Sequence, residues 1–139
     1  MMIRPYLPLD TRRLKANTFS DVKDMGWVLE DDSFQKHTLE DSDGRVLCII
    51  CFKKYWQDNY HAFLLISEEM TAIHGRMLKR WIFDVMMDFG MKRVQTDSVD
   101  CPVINRWHKF LGFTLEGTRM KMLYDTDYKC WAFVKGRDF

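Results

Sequence analysis

Residues 105–113 read Asn105-Arg-Trp-His-Lys-Phe-Leu-Gly-Phe113, and they are the most informative stretch of the chain. Pro102 stands in the first turn of the helix that this stretch predicts, where its missing N–H is not needed. Gly112 marks the end of that helix, and a strand is predicted directly after it, at 113–123. The stretch therefore predicts a short helix that turns sharply into a strand.

The segment before it carries the strongest helical pattern of the chain, from Gly75 to Phe89. Apolar residues recur there at intervals typical of a helix with one buried face. Gly90 is expected to end this helix in the left-handed conformation. A loop is predicted before it, at 67–74, and a strand after it, at 92–99, which implies a right-handed parallel crossover. The predicted apolar face comprises Met77, Leu78, Trp81, Ile82, Val85, Met86 and Phe89.

An antiparallel meander is predicted ahead of that helix. Its strands fall at 37–40, 45–56 and 60–66, with turn residues between them. A first strand at 2–6, a helix beginning near Arg12 and carrying Leu14 and Phe19, and a last strand at 128–134 complete the order. One α/β (α+β) domain over residues 1–139 is predicted. Its sheet is expected to be mixed and mostly antiparallel, with about six to seven strands and with helices on both faces.

The composition excludes several classes of protein. Of the 139 residues 47% are hydrophobic and 14% aromatic, so a disordered chain is excluded. The formal net charge of +1 lacks the basic excess typical of nucleic-acid binding. Neither a signal peptide nor an apolar stretch of membrane-spanning length is present, so we expect a soluble, cytoplasmic protein with no nucleic-acid or membrane partner. Four tryptophans are expected in the core: Trp56, Trp81, Trp107 and Trp131.

Cys48 and Cys51 form a C-x-x-C pair, which suggests metal or redox chemistry. They lie in the apolar run 46–52, however, which is typical of a buried strand. Residues three apart in a strand point to opposite faces, so the two thiols are expected to diverge. No neighbouring Cys or His pair completes a ligand set, and no metal site is predicted.

The order of the elements, together with two motifs, resembles the GNAT superfamily of N-acetyltransferases. Trp107-His-Lys-Phe-Leu-Gly-Phe113 is similar to the aromatic-Tyr-x-x-Leu-Gly-Phe pattern of the short helix in that family, and Thr114-Leu-Glu-Gly117 follows it. The spacing from Gly75 to Gly112 is also similar. The resemblance covers residues 60–135 well, whereas the first third of the chain matches only in layout.

The resemblance implies acetyl-CoA as the cofactor. In the family, the strand before the long helix pairs with the pantetheine arm, and backbone N–H groups at the start of that helix wrap the pyrophosphate. The resemblance implies that the matching residues bind the cofactor here: Leu65, Ile66, Ser67, Ile73, His74, Gly75 and Arg76.

The pyrophosphate signature of the family, Arg/Gln-x-x-Gly-x-Gly/Ala, is eroded in this chain. With its last glycine placed on Gly75, Met70 takes the Arg/Gln position and Ile73 takes that of the first glycine. A shift by two residues puts Ala72, Gly75 and Met77 in these places instead. Large side chains where glycine belongs would crowd the phosphates, so weaker cofactor binding is expected.

The resemblance also points to catalytic residues. The tyrosine that commonly protonates the departing thiolate is replaced by His108; the alternative is a surface histidine of the helix with no role. Glu68 and Glu69 are the candidates for the general base, and Asp97 is a weaker one. The alternative for the two glutamates is a pair of solvated loop carboxylates.

Two functions follow from the resemblance. The first is an acetyl-CoA-dependent N-acetyltransferase acting on a primary amine of a small molecule or a protein. The second is a catalytically silent GNAT-fold protein with a structural or interaction role, such as a bacteriophage virion component, in a host cytoplasm or a virion. A homodimer or a virion-protein partner is an expectation of the same kind.

Overall fold

The computed structural model describes residues 2–15, 26–123 and 126–139. Over these residues the order of helices and strands confirms the predicted one. The elements are β1 (Met2–Pro5), α1 (Asp10–Arg13), α2 (Gly26–Glu30), β2 (Gln35–Glu40), β3 (Val46–Trp56), β4 (Asn59–Ile66), α3 (Ala72–Asp88), β5 (Arg93–Val99), α4 (Pro102–Phe110), β6 (Thr114–Leu123) and β7 (Thr126–Val134). Among them, no helix has the length and apolar character needed to cross a membrane.

The strands join in a seven-stranded sheet with the order β1-β2-β3-β4-β5-β7-β6 over the described residues. β4 and β5 run parallel, with Asn59–His61 alongside Arg93–Gln95. The ladders β1–β2, β2–β3, β5–β7 and β6–β7 are antiparallel. The prediction of a mixed, mostly antiparallel sheet with a parallel crossover through the long helix is therefore confirmed.

Contacts divide the chain into two compact units. The first is Met1–Lys53 with Ala62–His74, and the second is Lys54–His61 with Gly75–Phe139. The prediction of one domain is not tested by this division and stays a prediction.

The core of the first unit is built on β3. Its first seven residues, Val46 to Phe52, are all buried, as the apolar run predicts. Burial raises the pKa of Cys48 well above its usual range and that of Cys51 to about 12, so both thiols are protonated at neutral pH. The packed cluster comprises Leu14, Val28, Phe34, Val46, Ile49, Cys51 and Leu65.

The helix predicted near Arg12 begins earlier and is short, spanning Asp10–Arg13. The side chain of Asp10 does not cap it, because its buried carboxylate bonds elsewhere. Arg4 donates two hydrogen bonds of 2.8 Å to it, and the Leu7 N–H and the Thr38 hydroxyl donate further ones. The predicted helical residue Phe19 lies outside the described residues.

The core of the second unit draws buried residues from α3, α4, β5 and β7. The expectation that four tryptophans pack in the core is only partly right. Trp131 is 2% exposed, whereas Trp56, which ends β3 at a hairpin, is 65% exposed, and Trp81 and Trp107 are half-buried. The buried apolar residues of this unit include Leu78, Ile82, Met86, Met91, Val94, Ile104, Leu111, Phe113, Trp131 and Phe133.

Both long helices end as the glycines predict. Gly90 and Gly112 have φ of +63° and +101°. After α3, the N–H of Gly90 donates to the carbonyl of Met87 and that of Met91 to Met86. After α4, Gly112 donates to Lys109 and Phe113 to His108 in the same pattern. Both ends are thus complete Schellman motifs, and in each the two residues joined by the longer hydrogen bond are buried, Met86 with Met91 and His108 with Phe113.

Candidate functional site

The loop that precedes α3 is shorter than predicted. The helix begins at Ala72, three residues before the predicted start at Gly75, so Ile73 and His74 lie in its first turn. The reason is a side-chain cap, because His74 Nδ1 accepts the N–H of Thr71 at 3.2 Å and lies 2.9 Å from the Thr71 hydroxyl. This is one half of a capping box, with histidine in the place of glutamate.

The main-chain N–H groups of this loop are largely engaged within the chain. Those of Ser67 and Glu68 donate to the carbonyls of Leu47 and Lys15. Those of Glu69 and Met70 donate to the side-chain and main-chain oxygens of Ser67 at 3.0 and 3.2 Å. With Thr71 bonded to His74, five consecutive amides are satisfied before the helix starts. The donors left for an anion are those of the first turn, from Ala72 to His74, which have no acceptor inside a helix.

The side chains predicted at the cofactor site differ in exposure. Leu65, Ile66 and Ser67 are buried at the end of β4, whereas Ile73 is 66% exposed and Arg76 is exposed. The side chain of Ile73 therefore stands in solvent beside the amides of the first turn. This placement is consistent with the crowding that the eroded signature predicts.

The two candidate bases have different surroundings. Glu69 Oε2 accepts a hydrogen bond of 3.1 Å from Arg45, which also binds Asp41 at 2.7 Å. Glu68 is exposed. Arg45 thus ties the loop to the turn after β2 and counters the charge of Glu69. Sequence reasoning missed this contact because it joins residues 24 positions apart.

Gly75 is required by helix packing. A Cβ at this position would lie 2.6 Å from Trp107 Cζ3 and 2.8 Å from Phe110 Cε1, far inside van der Waals contact. Trp107 and Phe110 pack edge to face, with ring centroids 5.8 Å apart. The absent side chain therefore lets α3 and α4 approach closely, which is a reason for the glycine that the resemblance did not supply.

His108 is a core residue. It is 3% exposed, stacks on Trp131 with ring centroids 5.4 Å apart and meets Phe113 edge-on. The alternative of a surface histidine is therefore wrong. Its Nδ1 lies 2.9 Å from the Ile104 carbonyl, which only accepts, so Nδ1 carries the proton. Burial lowers the pKa of His108 to about 4, which makes the ring neutral at pH 7.

The predicted site residues divide between the two units. The end of β4, the loop with Glu68 and Glu69, Ile73 and His74 belong to the first, and Gly75, Arg76 and His108 belong to the second. Among the residues that the structure describes, no group of three or more His, Cys, Asp or Glu side chains is arranged to hold a metal ion.

Comparison with solved structures defines the class of the fold. An IAA acetyltransferase from Bacillus cereus aligns with a TM-score of 0.72 at 11% identity, over 96% of this chain and 98% of that chain. The spermidine/spermine N-acetyltransferase from Vibrio cholerae aligns with 0.68 at 12%, over 96% and 91%. The ribosomal-protein-S5-alanine acetyltransferase from Vibrio fischeri aligns with 0.69 at 9%, over 99% and 94%.

The chain therefore has the fold of the GNAT N-acetyltransferases. At these identities the likeness establishes the fold alone. No family model and no curated protein sequence matches the chain.

Proposed function

We propose that the protein is an acetyl-CoA-dependent N-acetyltransferase acting on a primary amine of a small molecule or a protein. The observation that carries the proposal is the alignment with acetyltransferase structures over nearly the whole chain. Spermidine and a ribosomal protein appear in the names of two of these enzymes, which supports an amine acceptor. The proposal places the activity in the cytoplasm.

The first turn of α3 would hold the pyrophosphate. Three amides from Ala72 to His74 point along the axis of a helix of 17 residues, and the positive end of its dipole favours an anion. Arg76 is exposed in the next turn. The fit is looser than in a glycine-rich loop, because the five amides before Ala72 already have acceptors. The main chain of Leu65 to Ser67 would hold the pantetheine arm.

Bound acetyl-CoA would supply a thioester carbonyl that the neutral amine attacks. Of the two loop glutamates, Glu68 suits the role of base better, since Arg45 occupies a carboxylate oxygen of Glu69. His108 is left out as the proton donor, because its protonated Nδ1 is bound to Ile104 and the ring is neutral. The variant His108→Phe, provided that it folds, should then keep the turnover of the wild type.

Calorimetric titration with acetyl-CoA tests the proposal. Shortening the exposed side chain, Ile73→Ala, should tighten binding about threefold, whereas Ile73→Glu should weaken it about tenfold by placing a negative charge at the anion site. Met87→Glu is the matched control, since Met87 is exposed in the last turns of the same helix. No binding at about 1 mM cofactor would reject the proposal.

The alternative is a GNAT-fold protein without catalysis, serving a structural role such as that of a virion component or pairing with a second copy. The satisfied loop amides and the exposed Ile73 favour it, since both weaken a phosphate site. It predicts no heat of binding with acetyl-CoA for the wild type or for Ile73→Ala. A measurable affinity that the two Ile73 variants move in opposite directions would contradict it.

A further inference from the structure

A cluster of polar side chains lies in the second unit around Asp97, the weaker of the base candidates in the sequence. His61 on β4 and Asp97 on β5 approach with Nε2 and Oδ2 3.9 Å apart, and Arg119 Nε on β6 lies 3.9 Å from the other oxygen of Asp97. Arg119 also donates to Cys130 Sγ on β7 at 3.3 Å. Side chains from four strands thus lie around the carboxylate of Asp97.

The cluster lies on the face of the sheet opposite to α4. On β5, Ser98 receives a hydrogen bond from Trp131, which stacks on His108 of α4. Since neighbouring residues of a strand point to opposite faces, Asp97 points away from α4. Its side chain is 14% exposed and that of His61 is 23% exposed, so neither is fully closed off from solvent.

The spacing of His61 and Asp97 suits a shared ligand. At 3.9 Å the two atoms are too far apart for a hydrogen bond. A nitrogen placed between them can lie about 2.8 Å from each, at ordinary hydrogen-bond length. A carboxylate attracts a primary ammonium group, and a neutral imidazole accepts a proton from one.

The surroundings favour a neutral His61. Burial lowers its pKa, Asp97 opposes this, and the cation of Arg119 lowers it further. Among the described residues, Cys130 also lies at the cluster, and its pKa is raised chiefly by burial, so it stays a thiol. On β3, the Tyr55 hydroxyl binds Gln95, the residue paired with His61. At neutral pH the cluster therefore presents one carboxylate, one guanidinium and one proton acceptor.

We propose that this cluster binds the ammonium group of the acceptor, with Asp97 as its counter-ion and His61, in place of Glu68, as the acceptor of its proton. The inference rests on the proposed acetyl transfer. The proton passes from R–NH3+ to His61 Nε2, leaving R–NH2 and imidazolium. The free amine would then form the C–N bond to the acetyl carbon as the C–S bond breaks and the thiolate leaves with the electron pair. The second proton of the nitrogen would pass to that thiolate, which gives the amide and the free thiol. Arg119 is a positioning residue that keeps His61 unprotonated.

The first experiment observes His61 directly, by a proton–nitrogen NMR titration with propylamine as the probe. We expect the His61 resonances to shift on addition of the amine at constant pH and the shift to disappear in Asp97→Asn. Resonances that do not respond to the amine overturn the inference. This measurement needs neither acetyl-CoA nor turnover, so it tests the amine site independently of the proposed function.

The second experiment uses turnover with acetyl-CoA and the same amine. His61→Gln and His61→Phe should each lower kcat about 100-fold without weakening acetyl-CoA binding, and Asp97→Asn should raise the KM for the amine about tenfold. Unchanged kcat in a folded His61 variant that still binds acetyl-CoA overturns the inference. Failure of the wild type to bind acetyl-CoA counts instead against the proposed function.

The third experiment tests Arg119 through the pH profile. Removing its cation in Arg119→Gln raises the pKa of His61, so the acidic limb of the kcat profile should move to higher pH. Lys135→Gln is the control, since Lys135 is an exposed cation of the same unit. An identical acidic limb in wild type and Arg119→Gln would show that His61 is not the titrating group.

Discussion

The two long helices end alike but begin differently. α3 and α4 both close in a glycine with positive φ and the same pair of hydrogen bonds. α4 begins after Cys101, which gives no side-chain cap, with Pro102 as its first residue, whereas α3 begins after Thr71 with His74 as the cap partner. A helix end here depends on one residue type in one conformation. A helix start is made here in two different ways, by a proline at the first position of α4 and by a side-chain contact at α3.

The largest test of this comparison is at the end of α4. Gly112→Ala should destabilise the protein by about 3 to 4 kcal/mol, the sum of the left-handed strain and of overpacking. The new Cβ would lie 2.6 Å from the Phe133 ring. The control is Gly90→Ala, which meets no atom within 4 Å and should cost only about 1 kcal/mol. Urea unfolding measures both, and equal losses would contradict the steric part of the argument.

The second test separates the two helix ends by pH. His108 and Met86 occupy the same position of the Schellman motif, but only His108 titrates. Its pKa falls from 6.5 to about 4 on folding, so between these values the unfolded state binds more protons. Stability present above pH 6.5 is therefore lost as the pH falls to about 4, by about 3 kcal/mol in total.

His108→Met, which copies the residue of α3, should remove this part of the pH dependence. The measurement is the free energy of unfolding of both proteins at several pH values between 7 and 4. Parallel curves for the two proteins would show that His108 does not carry the dependence.

The third test concerns the contact between the helices. Gly75→Ala would gain about 1 kcal/mol from helix propensity but lose more from its clash with Trp107 and Phe110, for a net loss of about 1 to 2 kcal/mol. In the double variant with Trp107→Leu, the added loss from Gly75→Ala should shrink or reverse. If thermal unfolding shows that the stability losses of Gly75→Ala and Trp107→Leu simply add, the contact with Trp107 is not the reason for a glycine at position 75.

The smallest test is at the start of α3. His74→Ala removes the acceptor for the Thr71 N–H and should cost about 0.5 to 1 kcal/mol, because the cap is exposed. His74→Glu restores a capping box and should recover the loss. If His74→Ala is neutral in urea unfolding, the early start of the helix has another cause.

The sequence predicted most strongly those features that depend on local pattern. The buried strand around Cys48 and Cys51 and the glycine ends of both helices are found where the pattern predicts them. The predicted start of α3 at Gly75 is wrong by three residues, because the contact of Thr71 with His74 adds nothing to the apolar pattern of the helix. The ion pair of Arg45 with Glu69 could not be read at all, since long-range contacts leave no mark on a local pattern.

The candidate site was harder to predict than the fold. The burial of His108 could have been read from the helical period, because Ile104, His108 and Leu111 share one face. The resemblance drew attention to a proton donor there instead. For Trp56 the error ran the other way: burial was predicted from its apolar side chain, but it lies at the end of a strand and is exposed.

The raised pKa values of the cysteines have a practical consequence. Cys48 and Cys51 are buried protonated thiols of the first unit, and Cys130 is a partly exposed thiol of the second. A thiol reagent modifies the thiolate, so it reaches the first pair only after that unit opens. Mass spectrometry after timed alkylation would thus report the opening of the first unit, with the partly exposed Cys130 as the reference thiol. The alkylation rate of Cys48 and Cys51 therefore measures how often the first unit opens locally.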